Sequence, residues 1–251
     1  MDAQCVRAGI NLHAILRCLE NLSALDEDAA TLLKGHRLHM GFTVPGLEPL
    51  TLHVQDGALK ASRGRQSGGL QLRFVSPAHF NGMVEGTKMP IPTGRLRYLR
   101  FLKNNFAALA KILEKYLKPD AGSLAVPAFR EKNVRLLAAV ALYALSEVGN
   151  LDPMGRQIAQ AMGEGTVLME VPGCLAYLIT AKEGRLTTAP YEGQPALAFM
   201  RFDCLETLGG VLRGELDSYL CIGRGQIEIS GHIPLVDNLN KLLHLVSVYL
   251  A

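Results

Sequence analysis

The 251-residue chain contains no tryptophan, and aromatic residues make up only 6% of it. Proteins that hold single-stranded nucleic acid stack its bases on aromatic side chains, so this composition argues against a nucleic-acid partner. Hydrophobic residues make up 49% of the chain and charged residues 20%. This composition is typical of a chain that folds around one or two hydrophobic cores.

Cysteine is scarce, and its spacing is not that of a structural framework. The count is odd and no two cysteines are spaced C-x-x-C, which argues against both a disulfide scaffold and a cysteine-rich zinc site. His36 and His39 are spaced H-x-x-H, but no cysteine or carboxylate set with ligand spacing lies near them in the sequence. We therefore expect no metal and no cofactor. The five cysteines are Cys5, Cys18, Cys174, Cys204 and Cys221.

Signals for export or membrane insertion are also missing. The opening residues lack a basic segment followed by an unbroken apolar run, so they do not resemble a secretory signal. No apolar run reaches the roughly 18 residues that a membrane span needs. The longest, Leu136 to Leu145, suits a buried helix. We therefore expect a cytoplasmic location.

Positive charge is concentrated in the first half of the chain. Residues 1–126 hold 16 Lys and Arg against 10 Asp and Glu, whereas the remainder holds 10 against 13. One interpretation is peripheral docking on anionic lipid headgroups or on an acidic ligand group. The other is ordinary solvated charge that protects a sheet edge from pairing. The candidate docking residues are Arg95, Arg97, Arg100 and Lys103, and a glycine-rich loop nearby adds Lys60, Arg63 and Arg65.

One sequence frame occurs twice. VPGLEPLTLHVQDG, at 44–57, returns as VPGCLAYLITAKEG, at 171–184, an offset of 127 positions. Matches on either side keep the same order while the offset rises from 126 in the first helix to 133 in the last. Because this period is far longer than the 20–50 residues of solenoid repeats, it predicts two tandem copies of one domain, at 1–120 and 121–251.

Each copy predicts a helix, three strands, a short helix, a fourth strand and a closing helix. Strand residues Leu50, Leu52 and Val54 alternate with polar neighbours, and Asp56-Gly57 predicts a hairpin turn. Ser76 followed by Pro77 predicts the start of the short helix. The order indicates an α+β fold, with a mainly antiparallel sheet covered on one side by helices in each copy.

The fourth strand is predicted at Arg95 to Leu99 in the first copy and at Gly225 to Gly231 in the second. This alignment matches Gly94 with Gly225. It also leaves Arg100 at the position that Gly231 occupies in the second copy.

With these elements the pattern resembles the sterol carrier protein 2 (SCP2) family of lipid-binding domains. The second copy shows it best, through KEG at 182–184, GGVLRG at 209–214 and GRGQIEISGHIPLVDNLNKLL at 223–243. The resemblance implies an apolar tunnel between sheet and helices. This tunnel would bind an acyl chain, a sterol or an isoprenoid without catalysing a reaction.

Candidate lipid-binding residues are the apolar positions of the short and closing helices. The same residues would be apolar in any packed core, so the sequence does not separate tunnel lining from core filling. In the first copy they are Phe80, Met83, Phe106, Leu109 and Leu113, and in the second Leu208, Val211, Leu239, Leu242 and Val246.

Two other functions are weighed beside lipid carriage. SCP2-like domains also serve as accessory modules that present lipids or isoprenoid quinone precursors to biosynthetic enzymes, which would make the basic face a protein-docking surface. An enzyme would need a grouped set of polar residues. The chain has no G-x-S-x-G, and nothing in the sequence groups Ser, His and Asp into a triad, so we predict no catalytic residue.

Overall fold

The computed structural model describes residues 2–250. They form two compact α+β units, one of residues Asp2–Lys132 and one that begins at Asn133. This division lies inside a single long helix, Pro127–Leu151, whereas the repeat places a boundary between 120 and 121.

The first unit contains a five-stranded sheet and short helices before, within and after it. A π-helical turn, Asn11–Ile15, follows the first helix, and a 3-10 turn with a second π-helical turn, Leu102–Phe106, precedes the closing helix. Its helices and strands are α1 (Ala3–Ile10), α2 (Leu19–Leu25), α3 (Glu27–Leu33), β1 (Arg37–Thr43), β2 (Leu50–Gln55), β3 (Ala58–Arg63), β4 (Leu70–Arg73), α4 (Pro77–Val84), β5 (Ile91–Gly94), α5 (Leu99–Phe101), α6 (Ala107–Leu117) and α7 (Ala121–Leu124).

The second unit repeats this arrangement with longer, more regular helices. Its elements are the part of α8 (Pro127–Leu151) from Asn133 onward, α9 (Pro153–Ala161), β6 (Gly165–Val171), β7 (Leu175–Lys182), β8 (Arg185–Pro190), β9 (Ala198–Phe202), α10 (Leu205–Leu212), α11 (Ser218–Gly223), β10 (Ile227–Gly231) and α12 (Ile233–Leu250).

The two sheets have the same strand order. The first runs β3-β2-β1-β4-β5 and the second β8-β7-β6-β9-β10. In each, only the central pair is parallel, β1 with β4 and β6 with β9, and the remaining neighbours are antiparallel. The predicted α+β class with mainly antiparallel sheets is therefore confirmed.

The predicted hairpin turn at Asp56-Gly57 is confirmed, and Glu183-Gly184 forms the corresponding turn in the second unit. Asp56 and Gly57 have φ of 44° and 91°, and Glu183 and Gly184 have φ of 51° and 69°. A two-residue turn with both φ positive has the twist that matches the flanking strands. Across the first hairpin Leu50, Leu52 and Val54 are buried as expected, because alternate residues of a strand share one face.

An Asp–Tyr hydrogen bond joins the start of each unit to its closing helix. The Tyr116 hydroxyl donates to Asp26 Oδ2 at 2.7 Å, and the Tyr249 hydroxyl donates to Asp152 Oδ2 at 2.7 Å. Both aspartates also accept backbone N–H bonds at the N-terminus of the helix that follows them. The last helix of each unit is thereby fixed to the helical segment that precedes its sheet.

The fourth strand of the first unit lies earlier than predicted. Strand β5 is Ile91–Gly94, and Leu96–Tyr98 form a 3-10 helix, so the predicted strand from Arg95 to Leu99 is wrong. Leu96, in this 3-10 turn, is 52% exposed.

The predicted glycine match is wrong for the same reason. Gly94 and Gly231 have φ of 81° and 80°, and each is followed by a residue whose N–H bonds across to the neighbouring strand, at Gly69 or Leu197. A Cβ on either glycine would collide with that carbonyl oxygen. Gly94 therefore matches Gly231 rather than Gly225.

Among residues 2–250, α8 is the one helix long and apolar enough to cross a membrane by length and composition alone. Buried side chains account for 78% of its most apolar window. The core helix of a globular protein has these properties too. The predicted buried stretch, Leu136 to Leu145, lies in the middle of this helix.

Candidate functional site

A cavity of about 710 Å³ lies in the second unit, between the β9–β10 side of its sheet and the helices α9, α11 and α12. This volume is within the 300–1,000 Å³ typical of pockets for small organic ligands. Ten of its sixteen lining residues are apolar, and these are Met154, Ile158, Met200, Phe202, Val211, Ile222, Ile227, Ile229, Leu243 and Leu245.

Two neighbouring strands supply one apolar wall. Ile227 of β10 lies opposite Phe202 of β9, and Ile229 lies opposite Met200. Residues directly opposite in an antiparallel pair point to the same face, and so do alternate residues of one strand. All four side chains therefore face the cavity, while Arg201 between them is exposed on the other side.

Polar side chains of α12 line the cavity beside the apolar wall. Asp237, Asn240, Lys241 and His244 lie at positions i, i+3, i+4 and i+7, so they follow one stripe of the helix. Lys241 Nζ lies 2.7 Å from Asp237 Oδ2, and both side chains are more than half exposed. The cavity is thus apolar within and charged at a solvated edge, which suits an amphipathic ligand.

The short helix α11 closes the cavity on another side with Ser218, Tyr219 and Ile222. The carboxylate of Asp217 caps this helix, because its Oδ1 accepts the N–H groups of Tyr219 and Leu220 at 2.8 and 3.0 Å. Tyr219 is 80% exposed. This wall is therefore a small, exposed helix rather than part of the sheet.

The first unit has no counterpart of α11 among its described residues. The Gly82 carbonyl accepts the N–H groups of Thr87 and Lys88, and the Gly210 carbonyl accepts those of Glu215 and Leu216, so the two glycines occupy matching positions. From Gly82 to Gly94 is 12 positions and from Gly210 to Gly231 is 21, so the second unit holds nine more residues here. The helix α11, of six residues, lies within this insertion.

The structure places the sequence-predicted lipid-binding residues mainly in the two cores. Of the ten, Val211 lines the cavity. Leu208, Leu239, Leu242 and Val246 are at most 2% exposed and pack inside the second unit. In the first unit Met83 is half-buried, and four others are buried, namely Phe80, Phe106, Leu109 and Leu113.

The cavity residues that the sequence reasoning missed belong to the strands β9 and β10 and to the helices α9, α11 and α12. Strand alternation gives Met200 and Phe202 the same pattern whether they fill a core or line a cavity. The signal that could have shown the difference is the nine-residue insertion, because extra chain beside an apolar strand pair adds a wall rather than more core.

The four predicted docking residues lie close together in sequence just after β5. Arg95 is in the connection, Arg97 in the 3-10 turn, Arg100 in α5 and Lys103 in the second π-helical turn, and all four are exposed. Arg97 Nη2 donates to the Tyr98 hydroxyl at 2.9 Å. The hydrogen bonds from Arg97 and Arg95 lower the pKa of Tyr98.

No family model and no curated protein matches the chain. Among solved structures, the UbiJ-SCP2 ubiquinone synthesis protein is 17% identical over 45% of this chain and 93% of that one, with a TM-score of 0.35. The sterol carrier protein domain 2 of Helicoverpa armigera is 19% identical, covering 45% and 89%, with a TM-score of 0.37. The sec-alkylsulfatase Pisa1 of Pseudomonas sp. is 13% identical, covering 58% and 29%, with a TM-score of 0.28.

Proposed function

We propose that the second unit is a non-enzymatic carrier domain that holds one amphipathic lipid, with its chain in the 710 Å³ cavity and its polar end beside α12. The supporting observation is the lining itself, apolar along the strands and polar along one helix stripe. Burial of a methylene group stabilises a complex by about 0.8 kcal/mol. An acyl chain, a sterol or an isoprenoid would each gain affinity in this way.

We infer that the two units are copies of one duplicated domain. The shared strand order, the two hairpins with positive φ and the two Asp–Tyr bonds all support this inference. The copies differ where the cavity lies. Pro92 of the first unit occupies the register position of Ile229, opposite Leu72 rather than Met200, and α11 is an insertion in the second unit. Lipid carriage is accordingly assigned to the second unit.

The geometry of the same cavity supports a hydrolytic function less well than lipid carriage. Ser218, Asp237 and His244 all line it, and these are the residue types of a catalytic triad. A triad needs hydrogen bonds from base to nucleophile and from acid to base. Within the part of the chain that the structure describes, Asp237 instead pairs with Lys241, and no hydrogen bond joins the three. Turnover of a fatty-acyl ester that Ser218→Ala abolishes would overturn the carrier assignment.

Filling the cavity tests the carrier function. We expect Ile229→Trp to weaken uptake of a fluorescent fatty acid by tenfold or more, because the larger ring occupies the space of the chain. The matched control is Ser230→Trp, the next residue of β10, which is exposed on the opposite face. In the unaltered protein, affinity should rise roughly fourfold for each added methylene until the cavity is full. Equal uptake by both variants, or no dependence on chain length, would contradict the proposal.

We further propose that the first unit docks on anionic membranes through the segment around β5. Large apolar side chains are exposed there beside the cations, with Met89 at 76%, Ile91 at 46% and Leu96 at 52% exposure. Basic residues near an anionic bilayer contribute about 1 kcal/mol each, and apolar side chains among them can enter the interface.

Vesicle flotation tests this docking. We expect Arg97→Gln with Arg100→Gln to reduce binding to phosphatidylserine-containing vesicles by about tenfold or more. The control pair is Lys111→Gln with Lys118→Gln, which removes two exposed charges from and just after α6. Binding that is unchanged between low and high salt would rule out electrostatic docking.

A further inference from the structure

A second, smaller cleft of about 250 Å³ lies in the first unit and has a different character. It sits where β1 begins and β2 ends, with Arg37 opposite Gln55 and His39 opposite His53 in the strand register. These four side chains share the face opposite to the buried leucines, because they alternate with them along the strands. Arg95 and Tyr98, from the chain after β5, complete the lining.

The cleft is lined by cationic and neutral groups, and no carboxylate is among its lining residues. Two acidic residues near it are engaged elsewhere. Asp56 accepts the Gly35 N–H at 3.0 Å, and Glu20 lies 2.8 Å from Lys60, the residue across from His53 on β3. Within residues 2–250, no ion pair joins Arg37 or Arg95 to a carboxylate. The local field therefore favours an anion.

The two histidines are held in place by their Nε2 atoms. His39 Nε2 lies 2.8 Å from the Ser67 carbonyl oxygen, which can only accept, so this nitrogen carries the proton. His53 Nε2 lies 2.8 Å from Ser62 Oγ, and the two ring centroids are 6.1 Å apart. Burial, followed by the charge of His39, lowers the pKa of His53. An anion beside this ring would offset both effects and favour protonation of His53.

The second unit shows that the fold does not require these residues. Thr166 and Thr180 face each other where His39 and His53 do in the first unit. Thr166 Oγ1 donates to the Pro195 carbonyl at 3.1 Å, which reproduces the strand-to-loop bond of His39. The fold therefore accommodates threonine at both positions, and packing alone does not require the histidine pair.

We propose that this cleft binds a phosphoryl group, with Arg37 and Arg95 as charge partners, His39 in the lining and His53 as a donor that acts when protonated. Arginine suits the role, because its planar guanidinium matches phosphate oxygens in a two-pronged hydrogen bond. The cleft is small for an apolar ligand, but a single phosphate-sized group fits it. The phosphoryl group can belong to a soluble phosphomonoester or to a lipid headgroup.

Calorimetric titration of the full chain with inorganic phosphate and inorganic sulfate tests the site. Sulfate keeps the same charge between about pH 6 and about pH 8, so tighter sulfate binding at the lower pH reports on the histidines alone. We expect about tenfold weaker binding for Arg37→Gln and for Arg95→Gln. Arg73→Gln, an exposed residue of β4 on the same face but outside the cleft lining, should bind as the unaltered protein does.

The double variant His39→Thr, His53→Thr should fold normally, because the second unit contains that pair, and should lose the pH dependence of sulfate binding. Vesicles of phosphatidylcholine with and without phosphatidic acid identify the source of the group. Binding to phosphatidic acid that depends on Arg37 assigns a lipid headgroup, and saturable binding of free phosphate assigns a soluble ligand. If Arg37→Gln and Arg95→Gln leave the binding of both anions and of vesicles unchanged, the site does not exist.

Discussion

Replacing Asp26 with alanine is expected to destabilise the first unit by about 3–5 kcal/mol. Its carboxylate is buried, with only 8% of the residue exposed, and it joins three elements. Asp26 Oδ1 accepts the Ala29 N–H at 3.0 Å and so caps α3, while Oδ2 accepts the Tyr116 hydroxyl at 2.7 Å and lies 3.0 Å from Lys132 Nζ. The substitution removes the cap and leaves a buried hydroxyl and a part-buried ammonium without their acceptor.

The second unit contains the matched control. Asp152 caps α9 and accepts the Tyr249 hydroxyl, but no lysine pairs with it among the described residues. We expect Asp152→Ala to cost about 2 kcal/mol, less than Asp26→Ala. Hydrogen exchange followed by mass spectrometry measures the opening free energy of each unit separately. Equal losses in the two units would show that Lys132 contributes nothing to the first.

Acid should weaken the same interaction. Burial raises the pKa of Asp26, but the hydrogen bonds from Tyr116, Ala29 and Lys132 outweigh it, and the net effect lowers that pKa. A carboxyl with a lowered folded-state pKa stabilises the protein above its unfolded value, and the contribution is lost as the pH falls through the folded value. Asp26→Asn should therefore show a shallower loss of stability in acid than the unaltered chain.

The features of the fold that depend on backbone chemistry could be predicted from the sequence. The Asp56-Gly57 turn and the cap of α4 are confirmed. In the cap, Ser76 Oγ accepts the backbone N–H of His79 at 3.1 Å. Such turns and caps depend on two or three adjacent residues, so a local pattern is enough to specify them.

The fourth strand of the first unit could not be placed in this way. Gly225 and Gly231 both have positive φ, so either could match Gly94 when only sequence is compared. The choice depends on which glycine lies against the carbonyl of the neighbouring strand, and that is a long-range contact. The nine-residue insertion that contains α11 moved the true match, Gly231, away from the position expected from the repeat. The sequence comparison therefore matched Gly94 with Gly225, which is wrong.

For the candidate lipid site, the sequence predicted the type of site but not most of its lining residues. An apolar site between sheet and helices is consistent with the cavity of the second unit, yet most of the helix residues chosen for it fill the cores. Helix periodicity identifies the face that turns inward but not how closely the opposite wall approaches it. That distance depends on α11 and on the pairing of β10, which no single segment encodes.

The stability of the first unit should fall steeply below about pH 6.5, because of His13. This residue lies in the π-helical turn and is 1% exposed, with Nε2 2.9 Å from the Glu48 carbonyl oxygen. Nδ1 is buried and meets no hydrogen-bond partner within residues 2–250. Burial, and then the charge of Arg63, lowers the pKa of His13 to about 3.

The sign follows from proton binding. Below the ordinary histidine pKa of about 6.5, His13 binds a proton in the unfolded chain but not in the folded unit. The free energy of unfolding therefore falls by about 1.4 kcal/mol per pH unit until the folded pKa is reached. At about pH 4 the loss is roughly 3 kcal/mol. His13→Gln keeps a donor for the Glu48 carbonyl but does not titrate, so hydrogen exchange in the first unit should lose this part of its acid slope. The second unit, with Ala139 at the position matched by the repeat, should respond identically in both proteins. An unchanged slope in the variant would mean that the folded and unfolded chains bind a proton at His13 equally well, and that other groups such as Asp26 account for the acid response.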